Sequence, residues 1–154
     1  MFIEPGNLRD GELLLVFNRF LTSDPEREWV PAYHFNMIRA GSSKVAGNIN
    51  LRIGNTDQLI LYRGHIGYGV KPEYRGYRFA ARSVRLLMPL AAAHGLNPLW
   101  ITCNPDNFAS RRTCELAGAE LVETINIPAD EEMIQFGDVS GIRQKCRYRL
   151  VTVE

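Results

Sequence analysis

The chain has 154 residues, the length of one domain, and 45% of them are apolar, enough to bury a sizeable core. A formal net charge of +1 excludes a chain-wide basic surface of the kind that holds nucleic acid by bulk electrostatics. No apolar run approaches the roughly 20 residues that cross a bilayer, the start MFIEPGNLRDGE has no secretion-leader pattern, and the three cysteines show no CxxC pairing, so a cytoplasmic protein with free thiols, no membrane partner and no metal is expected.

In chain order, ELLLVFNRF (12–20) predicts a strand and LTSDPEREW (21–29) a charged loop. AYHFNMIRA (32–40) and VAGNINLRI (45–53) predict the arms of a hairpin around the turn GSSK. GNTD (54–57) is turn chemistry, and HIGYGV (65–70) is a short strand stopped by Lys71-Pro72. A helix should follow, with Ala80, Val84, Leu87, Met88 and Ala91 as its apolar stripe and Gly95 just past its end. Pro89 lies inside it and should weaken one turn.

LWITC (99–103) predicts the next strand. The following helix starts with Asn104 as N-cap and Pro105 at its first position, or nearer Asp106. Ala109, Thr113, Leu116 and Ala117 form its inner stripe, and Gly118 ends it. AELVETINI (119–127) is a strand, an acidic loop follows, and IRQKCRYRLVTV (142–153) is the last strand. Its alternating Arg143, Lys145, Arg147 and Arg149 read as a solvated face, with support for a homodimer or for an acidic partner as the other readings. Early hairpins followed by strand–helix–strand units give an α+β class with one mixed sheet.

The chemistry concentrates in VKPEYRGYRFAARSVRLL (70–87). Arg75, Arg78, Arg82 and Arg85 share one helical face, the first two where the helix dipole disfavours cations. A polyphosphate at the helix N-terminus would explain them; a solvated basic face is the alternative. A second polar stripe, Asn107, Ser110 and Cys114, lies on the later helix beside Arg111. His34, His65 and His94 are too scattered for a metal triad.

Together these segments resemble the GNAT superfamily of acyl-CoA-dependent N-acetyltransferases. The family loop [Q/R]-x-x-G-x-[G/A] aligns with Arg75-Gly76-Tyr77-Arg78-Phe79-Ala80, and its N-x-x-[A/S] pattern with Asn107-Phe108-Ala109-Ser110, the likeness spanning roughly residues 45–127. It implies one domain over 1–154, with a single mixed, mostly antiparallel twisted sheet of six to seven strands, two main helices and reduced N-terminal helices. It implies transfer of an acetyl group from acetyl-CoA to a primary amine by direct attack in a ternary complex. Cofactor contacts would come from Val70, Arg75, Gly76, Tyr77, Arg78, Phe79, Ala80, Asn104, Asn107, Ser110 and Arg111. Cys114 stands where many members carry a tyrosine acid, and His65 opens the key strand as a candidate base. Arg78 replaces the internal loop glycine, in ordinary helical angles with its side chain toward phosphate. The alternatives are a non-catalytic acyl-CoA-binding or interaction module and a nucleic-acid-binding domain built on the arginine face.

Overall fold

The computed structural model describes residues 1–22, 30–128 and 144–153. Five antiparallel strands form the first sheet: β1 (Leu8–Asp10), β2 (Leu13–Leu21), β3 (Ala32–Arg39), β4 (Val45–Arg52) and β5 (Ile66–Val70), in that spatial order. The expected hairpin is β3–β4, with Phe35 opposite Ile49. Alternation sends Leu13, Leu15, Tyr33, Phe35, Met37, Ile49 and Leu51 to one face, where they are buried against helix α1 (Phe79–Ala93). Val84, Leu87 and Ala91 of α1 meet them as its apolar stripe predicts. Gly95, at φ +76°, lets Leu96 N return to Ala91 O and close the helix.

Strands β6 (Leu99–Cys103), β7 (Glu120–Asn126) and β8 (Gln144–Leu150) form a second antiparallel sheet in the order β6–β8–β7. Helix α2 (Phe108–Ala117) precedes β7. The α+β class stands, but the expected continuous mixed sheet is two sheets of five and three strands. Every assigned pairing among the described residues is antiparallel. The reason lies at β5 and β6, which meet only at their starts. His65 N donates to Trp100 O (2.7 Å), and a Cβ on Gly64 would come within 2.9 Å of that same oxygen. Beyond this junction no ladder joins them, so they open like a V.

Other details differ from the sequence reading. A π-helical turn (Leu59–Arg63) follows the predicted turn at 54–57. The cap of α2 is Asn107, not Asn104, since Asn107 Oδ1 accepts from Ser110 N at 3.1 Å. Of the expected inner stripe of α2, Ala117 is buried, Thr113 and Leu116 are half-buried and Ala109 is exposed, while Cys114 is buried as well. Arg147 is not solvated: it is 6% exposed, lies 4.1 Å over the Trp100 ring, donates to Ile60 O and pairs with Glu123. Arg143, the acidic segment 130–132 and most of the 21–29 loop lie outside the described residues.

Candidate active site

The V between β5 and β6 opens into a cleft of about 730 Å³. Both faces of β5 line it, Ile66, Tyr68 and Val70 on one side and Gly67 and Gly69 on the other, so the cleft passes through the gap. One end is the turn after β5. There a 3-10 turn (Pro72–Tyr74) leads into Arg75, whose Nε donates to Val70 O at 3.0 Å. Gly76 sits at φ +97°, a conformation that suits glycine.

Arg78 is the N-cap of α1 and is left-handed, at φ 60° and ψ 29°, rather than in ordinary helical angles. It is the one non-glycine residue with positive φ among those described. Such a conformation costs a side-chain-bearing residue roughly 1–2 kcal/mol. Arg82 N is bonded to Arg78 O (2.9 Å), so the amides of Phe79 to Ala81 occupy the first turn, where a helix supplies no acceptor. These amides, the dipole, Arg75 and Arg78 together make an anion cradle.

The arginine face divides in two. Arg75 and Arg78 line the cleft. Arg82 instead binds Asp10 (2.7 Å) and Glu12 (2.9 Å) of the β1–β2 hairpin, and its bond to Glu12 holds that carboxyl down at about 2. Arg85 donates to Ala117 O at 2.9 Å and so caps the C-terminus of α2.

Across the V, Asn104, Asn107 and Ser110 line the cleft, as do Val70, Gly76, Phe79 and Ala80. Asn104 Oδ1 accepts from Lys145 Nζ at 2.9 Å. Two residues of the expected cofactor set do not line it. Tyr77 lies under Arg39, 4.4 Å from the guanidinium to the ring. Arg111 turns to the Tyr148 hydroxyl (3.2 Å) and Pro105 O (3.2 Å) on the other side of α2.

His65 is fully buried, with both ring nitrogens in use. Nδ1 accepts from Trp100 N at 2.9 Å, and Nε2 donates to Gly54 O at 2.9 Å, which fixes the Nε2–H tautomer. Burial lowers its pKa, and it pins the apex of the V rather than facing the cleft. Cys114 is also fully buried, and it belongs to the core rather than to an exposed polar stripe. The neighbouring Cys103 thiol and burial push its thiol up. Cys103, on β6, does line the cleft, and the Cys114 thiol beside it draws the Cys103 thiol down.

Tyr68 and Arg52 were not singled out from sequence. The Tyr68 hydroxyl lies 2.6 Å from Ser110 Oγ, bridging β5 to α2 beside Cys114. Burial keeps the phenol protonated well above its ordinary range. Its parity with Val70 was a usable signal; Arg52 left none. Among the described residues no cluster of three metal-ligating side chains occurs, and no helix is long and apolar enough to cross a membrane.

Residues 5–120 match the acetyltransferase (GNAT) domain family. A comparison with curated protein sequences returns no match. Among solved structures, the chain is similar to the microcin C7 self-immunity acetyltransferase MccE in complex with acetyl-CoA and AMP: TM-score 0.59, 18% identity, 78% of this chain and 61% of that one. It is similar to the ribosomal-protein-S5-alanine acetyltransferase of Vibrio fischeri, with TM-score 0.61 and 16% identity over 80% of this chain and 63% of the other. RimL, a ribosomal L7/L12 alpha-N-protein acetyltransferase in complex with coenzyme A, gives 0.59 and 17% over 78% and 62%. The chain thus spans about three-fifths of the length of these structures.

Proposed function

The chain belongs to the GNAT acetyltransferase family, and from that premise we propose that it transfers an acetyl group from acetyl-CoA to a primary amine by direct attack in a ternary complex. The observation that carries this reading is the continuous cleft from the anion cradle at residues 75–81 through the gap between β5 and β6. The two complexes with acetyl-CoA or CoA among the similar structures support the same cosubstrate. In this reading the pyrophosphate rests on the first-turn amides of α1, with Arg75 and Arg78 beside it. The pantetheine arm follows the backbone of Gly67 to Val70, which holds the thioester in place for attack. Asn104, Asn107 and Ser110 form the opposite wall.

The Tyr68 hydroxyl donates a hydrogen bond to the leaving thiolate as its charge develops, and with the phenol held above its ordinary range the proton that completes the thiol comes from solvent. The Tyr68 phenol comes from the strand to the place where the family resemblance expects one from the helix, at position 114. Cys114 lies buried beside Tyr68 and Cys103, so any part it takes in proton transfer would pass through one of them. His65 acts as a positioning residue, since neither nitrogen is available to an amine.

Thermal shift with CoA and desulfo-CoA, followed by acetyl-CoA turnover with a panel of amines, tests the reading. Stabilisation by both cofactors and turnover with at least one amine is the expected result. No shift at millimolar CoA would overturn it. Stabilisation without transfer to any amine would mark an acyl-CoA-binding module instead.

A further inference from the structure

The cationic side chains lining the cleft are Arg52, Arg63, Arg75, Arg78 and Lys145, and no Asp or Glu among the described residues lines it. Arg75 and Arg78 belong to the pyrophosphate end. Arg52 does not: its Nη1 donates to Arg63 O (3.2 Å) and Gly64 O (3.0 Å), before β5 begins. A Cβ on Gly67 would lie 2.8 Å from Arg52 Nη2, so this guanidinium spreads over the bare α-carbon of Gly67. From Gly67 to Val70, where Arg75 is anchored, is three residues of strand, roughly 10 Å. A phosphate held at Arg75 therefore does not reach Arg52.

Arg52 has no carboxylate partner among the described residues. Burial, with a contribution from Arg63, lowers it to about 10, so it stays charged near neutrality. Its field also reaches His34 on the same face of the sheet, whose pKa is lowered by burial, by Arg19 and by Arg52. With Nη1 committed to two carbonyls, the edge left over is Nε and Nη2. Those two donors form the side-on fork that a carboxylate accepts in bidentate fashion.

Resting on the acetyltransfer reading, we propose that Arg52 is a specificity-determining residue and that the acceptor is an amino-carboxylate, its amine entering the gap at Gly67 while its carboxylate binds the Nε–Nη2 edge. The arrangement discriminates twice. A polycationic amine meets the Arg52 charge, for which no described residue supplies a carboxylate. An amine tied to a carboxylate brings the counter-charge that satisfies the Nε–Nη2 edge.

The test uses N-acetylglycine and N-acetylglycinamide as product mimics, titrated into the full chain and followed by the amide NMR signals of Gly67 and Gly69. The acid should bind at least tenfold more tightly than the amide. Arg52→Gln should erase that difference, and Arg52→Lys should keep part of it; far-UV circular dichroism reports folding of both. Equal binding of acid and amide by the wild type, or a preference that survives in Arg52→Gln, overturns the proposal. These titrations need no turnover, so they decide Arg52 even if acetyl-CoA proves not to be a substrate, which the CoA thermal shift reads separately. In turnover, the kcat/KM ratio for glycine over glycinamide should collapse toward one in Arg52→Gln. A peptide beginning with Asp set against one beginning with Asn tells whether the carboxylate can belong to a peptide.

Discussion

The hydroxyl of Tyr68 on β5 lies 2.6 Å from Oγ of Ser110 on α2, joining the two sides of the V. This bond ties a strand to a helix that shares no ladder with it, and it sets a protonated phenol inside the cleft.

Tyr68→Phe should lower kcat by tenfold or more, in line with loss of the hydrogen bond to the charge developing on the leaving sulfur, and leave CoA affinity nearly unchanged. Steady-state kinetics alongside CoA titration separates the two. Tyr68→Ala should lose as much, and Tyr68→Ala with Cys114→Tyr should regain part of kcat, because the helix phenol then has room. Cys114→Tyr alone should destabilise the fold, since the sulfur is fully buried beside Tyr68. A well-folded, active Cys114→Tyr single variant would contradict this account.

Arg78 holds a left-handed conformation that only glycine adopts freely. Arg78→Gly should raise stability by about 1 kcal/mol, whereas Arg78→Ala keeps the strain. Both variants lose the guanidinium, so both should bind CoA more weakly, with glycine recovering part through closer backbone approach. Chemical denaturation with CoA titration on the pair checks it. Equal stabilities would count against the strain.

Arg75 and Arg82 should behave oppositely. Arg75→Ala should weaken CoA by roughly 1–3 kcal/mol, the range of a lost charge-assisted hydrogen bond. Arg82→Ala should leave CoA affinity alone and lower Tm, because it frees Asp10 and Glu12 from α1. Glu12 is held down at about 2, so its contribution is present above the ordinary carboxylate range near 4.5 and is lost as pH falls through about 2. The Tm difference between wild type and Arg82→Ala should therefore persist at pH 4.

His65 is buried neutral with its pKa lowered. The unfolded chain then takes up the proton first, near pH 6.5, so the stability His65 contributes is full above that value and is lost as pH falls through the lower folded-state value. Tm measured from pH 7.5 to 5 should fall less steeply in His65→Gln than in wild type. An identical slope would remove His65 from the pH response, where His34 and His94, both also lowered, would then account for it.

Local pattern determined much of this protein. Alternation placed β2 to β6, a 3.6-residue stripe placed α1, and the motif beginning at Arg75 placed the turn into α1 that lines the cleft, because each depends on neighbours along the chain. Side-chain roles that depend on a distant partner were out of reach. Arg82 and Arg85 share a helical face with Arg75 and Arg78, yet one is neutralised by a hairpin some seventy residues away and the other caps a different helix. His65 is a pin and not a base because Gly54 and Trp100 take both nitrogens. The division into two sheets was also undecided locally, since β5 and β6 each read as ordinary strands. Only their meeting at Gly64 and His65, and the Tyr68 side chain reaching across to α2, opens the gap through which the cleft runs.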